Sequence, residues 1–185
     1  MYRLSAVIEL RDSYRDQPAL AAMPRFLLNG EPVGPLSKSE GRYVLVNLAP
    51  GDYVLDVHAA AFRPYRLSFS VSDTQTLSER WLQCALEPNA QYDYPPDTTV
   101  LRGQLASTVT GEVTVSADYR SARGQAHHVQ TRCTRDQPYT LALRGKLANP
   151  TRVSLRLDAG DGRSREQVIA RTPGRVQQVS RAFEL

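Results

Sequence analysis

The sequence predicts an all-β protein built as two small antiparallel β-sandwiches in tandem. Three observations carry this expectation. Short runs alternating apolar and polar residues recur roughly every 8 to 15 residues, with no long helical pattern among them. The stretch Gly41–His58 sets two such runs, rich in strand formers, on either side of Pro50-Gly51-Asp52. A Pro- and Tyr-rich connector at 89–97 then separates two halves whose strands and turns follow a similar order.

Within the first half, Arg3 to Arg11 alternates as a strand, with Leu4, Ala6, Ile8 and Leu10 on one face and Ser5, Val7 and Glu9 on the other. Ala19 to Met23 is a short helix-compatible piece that Pro24 stops. Arg25 to Leu28 is a strand leading into Asn29-Gly30, a strong two-residue hairpin signal. Gly41–His58 reads as a hairpin in which Pro50 fixes φ and Gly51 supplies the positive φ of a type II turn. Its core face is expected to hold Tyr43, Leu45, Tyr53, Leu55 and Val57, with Asp56 and His58 outward. Val44, Val46 and Val54 also fall outward, more apolar than a free sheet surface should be, which marks them as a candidate partner-binding row. Tyr65 to Val71 and Glu79 to Leu86 complete the unit, the latter with Trp81 and Gln83 opposite Leu82, Cys84 and Leu86.

The domain boundary is expected in the connector 89–97, giving sandwiches over 1–88 and 98–185, with Tyr92 and Tyr94 available to pack between them. Strands are then expected at Thr98–Ala106, Gly111–Tyr119, Ala126–Cys133, Tyr139–Leu143, Arg152–Leu157, Ser164–Ala170 and Val176–Leu185. The intervening turns fall at Arg120–Gly124, Asp136–Pro138, Gly145–Pro150, Asp158–Gly162 and Arg171–Gly174. Val153, Leu155 and Leu157 should point inward.

At 41% apolar and 23% charged residues the composition is globular, and no apolar run reaches the length of a membrane span. The N-terminus lacks the basic-then-apolar pattern of a secretory signal, so a cytoplasmic protein is expected, free or incorporated into a particle. Basic residues are almost all arginine, with Lys38 and Lys146 the exceptions. Residues 1–88 carry nine bases and ten acids, residues 89–185 fourteen bases and nine acids. The basic second half suits an acidic protein surface or a solvated sheet face. Arg144, Arg152 and Arg156 are expected to face outward as a stripe, and the lack of interleaved aromatics favours protein over nucleic acid as its partner.

No catalytic, metal or cofactor site is expected. His127 and His128 are adjacent on a strand and leave on opposite faces, and His58 stands apart. No nucleophile elbow occurs, and neither Cys84 nor Cys133 has a histidine beside it in sequence. Both are expected as free thiols. The Asp158–Gly162 turn lacks the further carboxylates of a calcium loop. Tyr14, Tyr65, Tyr92, Tyr94 and Tyr119 are the exposed aromatics a carbohydrate site would require.

The pattern Tyr-x-Leu-x-Asn-Leu-x-Pro-Gly-x-Tyr-x-Leu-x-Val-x-Ala at Tyr43–Ala59, followed by Ala61-Phe62-Arg63-Pro64, resembles the core signature of carboxypeptidase regulatory-like domains. These are transthyretin-like (prealbumin-like) β-sandwiches, mostly non-catalytic modules. Leu101–Leu105 and Tyr139–Leu143 resemble the same family's opening and central strands, without the Pro-Gly turn. The stretch Tyr92–Gly103 is similar to small accessory proteins encoded with phage-tail-like contractile injection particles. Some sandwich modules of this shape carry a Lys–Asn isopeptide cross-link; Lys38 and Lys146 fall in loops, which argues against one. The resemblance implies a structural or interaction module, a subunit or adaptor of a larger protein assembly. A carbohydrate- or peptide-binding module is the alternative.

Overall fold

A computed structural model of the chain describes residues 2–106, 110–135 and 137–179. All its regular elements are strands. They are β1 (Leu4–Asp12), β2 (Gln17–Pro18), β3 (Arg25–Leu28), β4 (Glu31–Val33), β5 (Leu36–Ser37), β6 (Arg42–Val46), β7 (Gly51–His58), β8 (Tyr65–Val71) and β9 (Trp81–Leu86), followed by β10 (Thr99–Gly103), β11 (Glu112–Arg120), β12 (Ala126–Thr134), β13 (Tyr139–Leu143), β14 (Thr151–Asp158), β15 (Ser164–Arg171) and β16 (Val176–Gln178). The chain divides into two compact units, Met1–Tyr92 and Asp93–Leu185. The turn expected at Asp136 and the end of the last expected strand, 180–185, lie outside the described residues.

In the first unit one sheet runs β9, β1, β6, β5, with β2 paired to the end of β1, and the other runs β4, β3, β7, β8. Strand β1 is central and nearly wholly buried, because β9 lies parallel along one edge and β6 antiparallel along the other. Ala6, Ile8, Leu10, Leu45, Cys84 and Leu86 turn inward from this sheet, and Phe26, Leu55 and Val57 from the other. Rings of Phe26 and Tyr43 meet at 4.8 Å between the two layers. Asn29-Gly30 closes the β3–β4 hairpin at φ +52° and +86°, as its sequence demands.

The stretch expected as a hairpin at Gly41–His58 is not one. Both edges of β6 are taken, by β1 and β5, and both edges of β7 by β3 and β8. Residues Asn47–Pro50 carry the chain from one sheet to the other. Asn47 turns out of the first sheet at φ +60°, its Oδ1 accepting from Arg3 N at 2.9 Å. Ser5, the extra residue where the β1–β6 register shifts, accepts from Leu48 N through Oγ at 2.9 Å. Tyr53 donates its hydroxyl to Ala49 O at 2.9 Å. Gly51 sits at φ +154°, far from the value at the third position of a type II turn, and opens β7.

Two further expectations are corrected. Ala19–Met23 forms a turn in which Ala22 N reaches only back to Ala19 O, and Ala19 N bonds Leu10 O, so the backbone is spoken for by β1 and not by a helix. Residues 88–92 pack onto the first unit. Phe62 bridges Pro88, and Asn89 Nδ2 donates to Ala60 O and Phe62 O. The buried Tyr92 packs edge-on against Tyr14 and Phe62 and donates its hydroxyl to Asp12. Tyr92 therefore belongs to a core, not to an exposed aromatic row.

The second unit repeats the first unit's strand order without counterparts of β2 and β5. One sheet runs β13, β10, β16, the last parallel to β10, and the other runs β12, β11, β14, β15. Its core draws on both sheets, with Leu101, Tyr139 and Leu141 from one and Val113, Val115, Cys133, Val153, Leu155 and Leu157 from the other. The link from β13 to β14 ends on Pro150 directly before the strand, as Pro50 directly precedes β7. Tyr119, taken above as exposed, is buried, and its hydroxyl accepts from Arg144 N at 2.6 Å within that link.

Candidate functional site

The first unit carries its most distinctive chemistry on the outward face of the β9-β1-β6-β5 sheet. Paired residues of a ladder leave on the same side, so register alone assembles the face. One row reads Leu36, Val44, Val7, Trp81 across β5, β6, β1 and β9. The next reads Arg42, Glu9, Gln83 across β6, β1 and β9. An apolar strip four strands wide thus lies beside a polar one.

The polar row is tied together around Glu9, only 7% exposed. Its Oε2 accepts from Trp81 Nε1 at 2.9 Å and faces Gln83 Nε2 at 3.5 Å, while Arg11 stands 3.9 Å from Oε1. The oxygens of a buried carboxylate need such donors to satisfy them. The Arg42 guanidinium lies 5.2 Å from the centre of the Trp81 ring and pairs with Glu40 at 2.8 Å, yet its Nε is buried without an acceptor. Glu9, Arg42, Leu77, Ser78, Trp81 and Gln83 surround a hollow of about 580 Å³, with Leu77 61% exposed on its rim. The arrangement holds an indole and a guanidinium at fixed positions on a rigid sheet.

The predicted partner row is divided between sheets. Val44 and Val46 sit half-buried in β6, Val44 within the strip just described. Val54 belongs to β7 in the other sheet, opposite Ser68, so it cannot extend that row. Trp81, Arg42 and Glu9 were not singled out from sequence. The signal available was the lone tryptophan alternating against Leu82, Cys84 and Leu86, which announces a large ring on the face away from the core.

Asp56 faces outward as expected but is largely covered. The opposed Arg66 holds it with Nε to Oδ1 at 2.6 Å and Nη2 to Oδ2 at 3.0 Å, and these hydrogen bonds keep its carboxyl below the usual range. His58 is exposed.

The predicted arginine stripe is likewise broken. Arg152 and Arg156 both leave the outward face of β14, but Arg144 follows β13, a strand of the other sheet. Arg156 has Glu166 opposite it and Asp158 at 3.9 Å, so carboxylates interrupt the basic face. His128 Nδ1 pairs with Asp118 at 2.8 Å, chiefly this bond raising the imidazole pKa, while His127 stacks on Tyr119 on the other side of the strand. Cys84 and Cys133 are buried free thiols, and burial pushes the Cys84 thiol up to about 12. Among the described residues no group of three or more His, Cys, Asp or Glu is placed to hold a metal ion. Among the described residues no helix is long and apolar enough to cross a membrane.

No family model matches the sequence, and no curated protein matches it. Among solved structures, the chain is similar to the Bacillus anthracis TIE protein, with 13% identity and a TM-score of 0.38 over 95% of this chain and 33% of that one. The chain therefore spans about a third of the length of that structure.

Proposed function

We propose that this protein is a non-catalytic interaction module, two transthyretin-like sandwiches of the carboxypeptidase regulatory-like type in tandem, serving as a subunit or adaptor of a larger protein assembly. A contractile-tail particle assembled in the cytoplasm is the specific setting proposed. The tandem reading is supported by the shared strand order of the two units. The observation that carries the function is the outward strip Leu36, Val44, Val7 and Trp81 with Arg42 beside it. Protein interfaces concentrate their binding energy in tryptophan and arginine set in a desolvated, apolar surround. Trp81 and Arg42 stand in such a surround, the one pre-ordered by Glu9 and the other by Glu40, so little side-chain entropy remains to be lost on docking.

Site-specific photo-crosslinking in the source cells tests this directly. A crosslinker at Leu77, on the rim, should give one discrete high-mass adduct. The same group at Leu20 or Met23, exposed elsewhere on the unit, should not. Identical adducts at all three positions, or none at Leu77, would reject the assignment. Of the five aromatics a carbohydrate site would use, Tyr92 and Tyr119 are buried.

A further inference from the structure

We propose a second recognition site, on the second unit and independent of the Trp81 face: a groove between Arg120 and Arg152 that binds a carboxylate of an acidic peptide segment. In the β11–β14 ladder Asp118 opposes Ser154 and Tyr119 opposes Val153. Arg120 and Arg152 stand one step further along. Tyr119 and Val153 are buried and both arginines exposed, so the two guanidiniums leave the outer face side by side. Their outer neighbours are Ala126 on β12 and Ala170 on β15, too short to screen them.

Two like charges side by side across a sheet cost stability unless a counter-charge joins them. None of the nearby carboxylates is free to do so. Asp118 pairs with His128 at 2.8 Å, Glu166 accepts from Ser154, and Asp158 lies towards Arg156 at 3.9 Å. Arg120 gives Nη1 to Gly124 O at 2.9 Å, leaving the rest of its fork, and among the described residues the Arg152 side chain has no hydrogen bond or ion pair. Both line a groove of about 460 Å³. His127 Nε2, buried without a partner, is a further unsatisfied nitrogen in its wall.

The groove selects among anions. Paired guanidinium forks match the two oxygens of a carboxylate. Ala148, Pro150 and Val168, the last 65% exposed, give an apolar wall for the aliphatic neighbours of an acidic side chain.

The test titrates the full chain with acetyl-Glu-Val-Glu-amide, following the arginine Nε–H resonances by NMR. Saturable shifts at Arg120 and Arg152 are expected, and Arg152→Gln should weaken binding about tenfold or more. Because the like-charge pair is relieved, Arg152→Gln without peptide should melt at or above the wild-type temperature, which separates lost binding from lost folding. Unchanged peptide binding by that variant, or a lowered melting temperature, overturns the site. Equal saturation by inorganic phosphate, or tighter binding of a single-stranded oligonucleotide, overturns the peptide as its ligand.

Discussion

Tyr43 and Tyr139 hold the same place in the two units, on the strand antiparallel to the first strand of each, yet they are seated differently. Tyr43 opposes Ile8, stays half-buried and leans on Phe26. Tyr139 opposes Gly103 and is wholly buried, its ring lying where a side chain on that glycine would go; a Cβ there would stand 2.3 Å from the hydroxyl oxygen. Burial raises both phenols above their ordinary pKa. The first unit buries several rings, Phe26, Phe62 and Tyr92. The second, with no phenylalanine among its described residues, buries two tyrosines, Tyr119 and Tyr139, the latter fitted to one absent side chain. Equivalent tyrosines of the two units are thus seated by ordinary ring packing in one half and by a glycine fitted to the ring in the other.

The largest expected effect breaks that contact. Gly103→Ala should destabilise the second unit by about 3 kcal/mol, as overpacking of a tight site does. In a Tyr139→Leu background the same change should cost under about 1 kcal/mol, since the obstructing ring is gone. Urea denaturation followed by far-UV circular dichroism measures both, while fluorescence of Trp81, the one tryptophan, reports the first unit alone. Equal costs in the two backgrounds would show that the ring and the glycine are not coupled.

The links between the sheets sharpen the comparison next. Both units staple the crossing that follows the strand antiparallel to their first strand, with different residues. Tyr119→Phe removes the acceptor of Arg144 N in the second unit and should cost about 1–3 kcal/mol by leaving a backbone donor unmet. Asn47→Ala in the first loses the Oδ1 acceptor and places alanine at φ +60°, for about 1–2 kcal/mol. Asn47→Gly should cost less than Asn47→Ala, because glycine accepts that φ. The reverse order would mean that the side-chain hydrogen bond, not the backbone, sets the crossing.

The smallest effects are electrostatic and opposite in sign. Arg66 lowers the Asp56 pKa, so this pair's contribution is present above the ordinary aspartate value of about 3.9 and fades as pH falls through the lower folded value. Asp118 raises the His128 pKa, so that contribution is present below about 6.5 and fades as pH rises through the higher folded value. Asp56→Asn should therefore flatten the acid limb of the stability profile and Asp118→Asn the neutral-to-alkaline limb, both slightly, since Arg66 and Asp118 are solvent-exposed. A melting-temperature profile against pH checks the signs.

What was legible in the sequence was local. Asn29-Gly30, Arg120–Gly124 and Asp158–Gly162 join strands adjacent in space, so turn chemistry and alternation suffice to place them. The crossing at Asn47–Pro50 was not legible as such, because sheet membership is decided by pairing with β1 and β3, distant in the chain, as well as with the neighbouring β5 and β8. The clue was that Val44, Leu45 and Val46 on one side, and Val54, Leu55 and Val57 on the other, leave neither face polar, as suits strands central to two sheets. The same non-locality divided the valine row and the arginine stripe, and it hid the Trp81 face, whose rows come from four separated segments. Tyr92 misled because a proline-rich context looks like a connector, whereas Asp12 supplies a buried acceptor eighty residues away.

The central claim, that the Trp81 face holds this protein in a larger assembly, is tested most directly by velocity sedimentation of source-cell extracts carrying either the wild-type chain or Trp81→Ala at native levels. The wild-type chain should sediment with a large particle and the variant at the position of a free 20.6 kDa protein, with its far-UV spectrum unchanged. A wild-type chain that sediments as the free protein, or a variant that stays in the particle, would contradict the account.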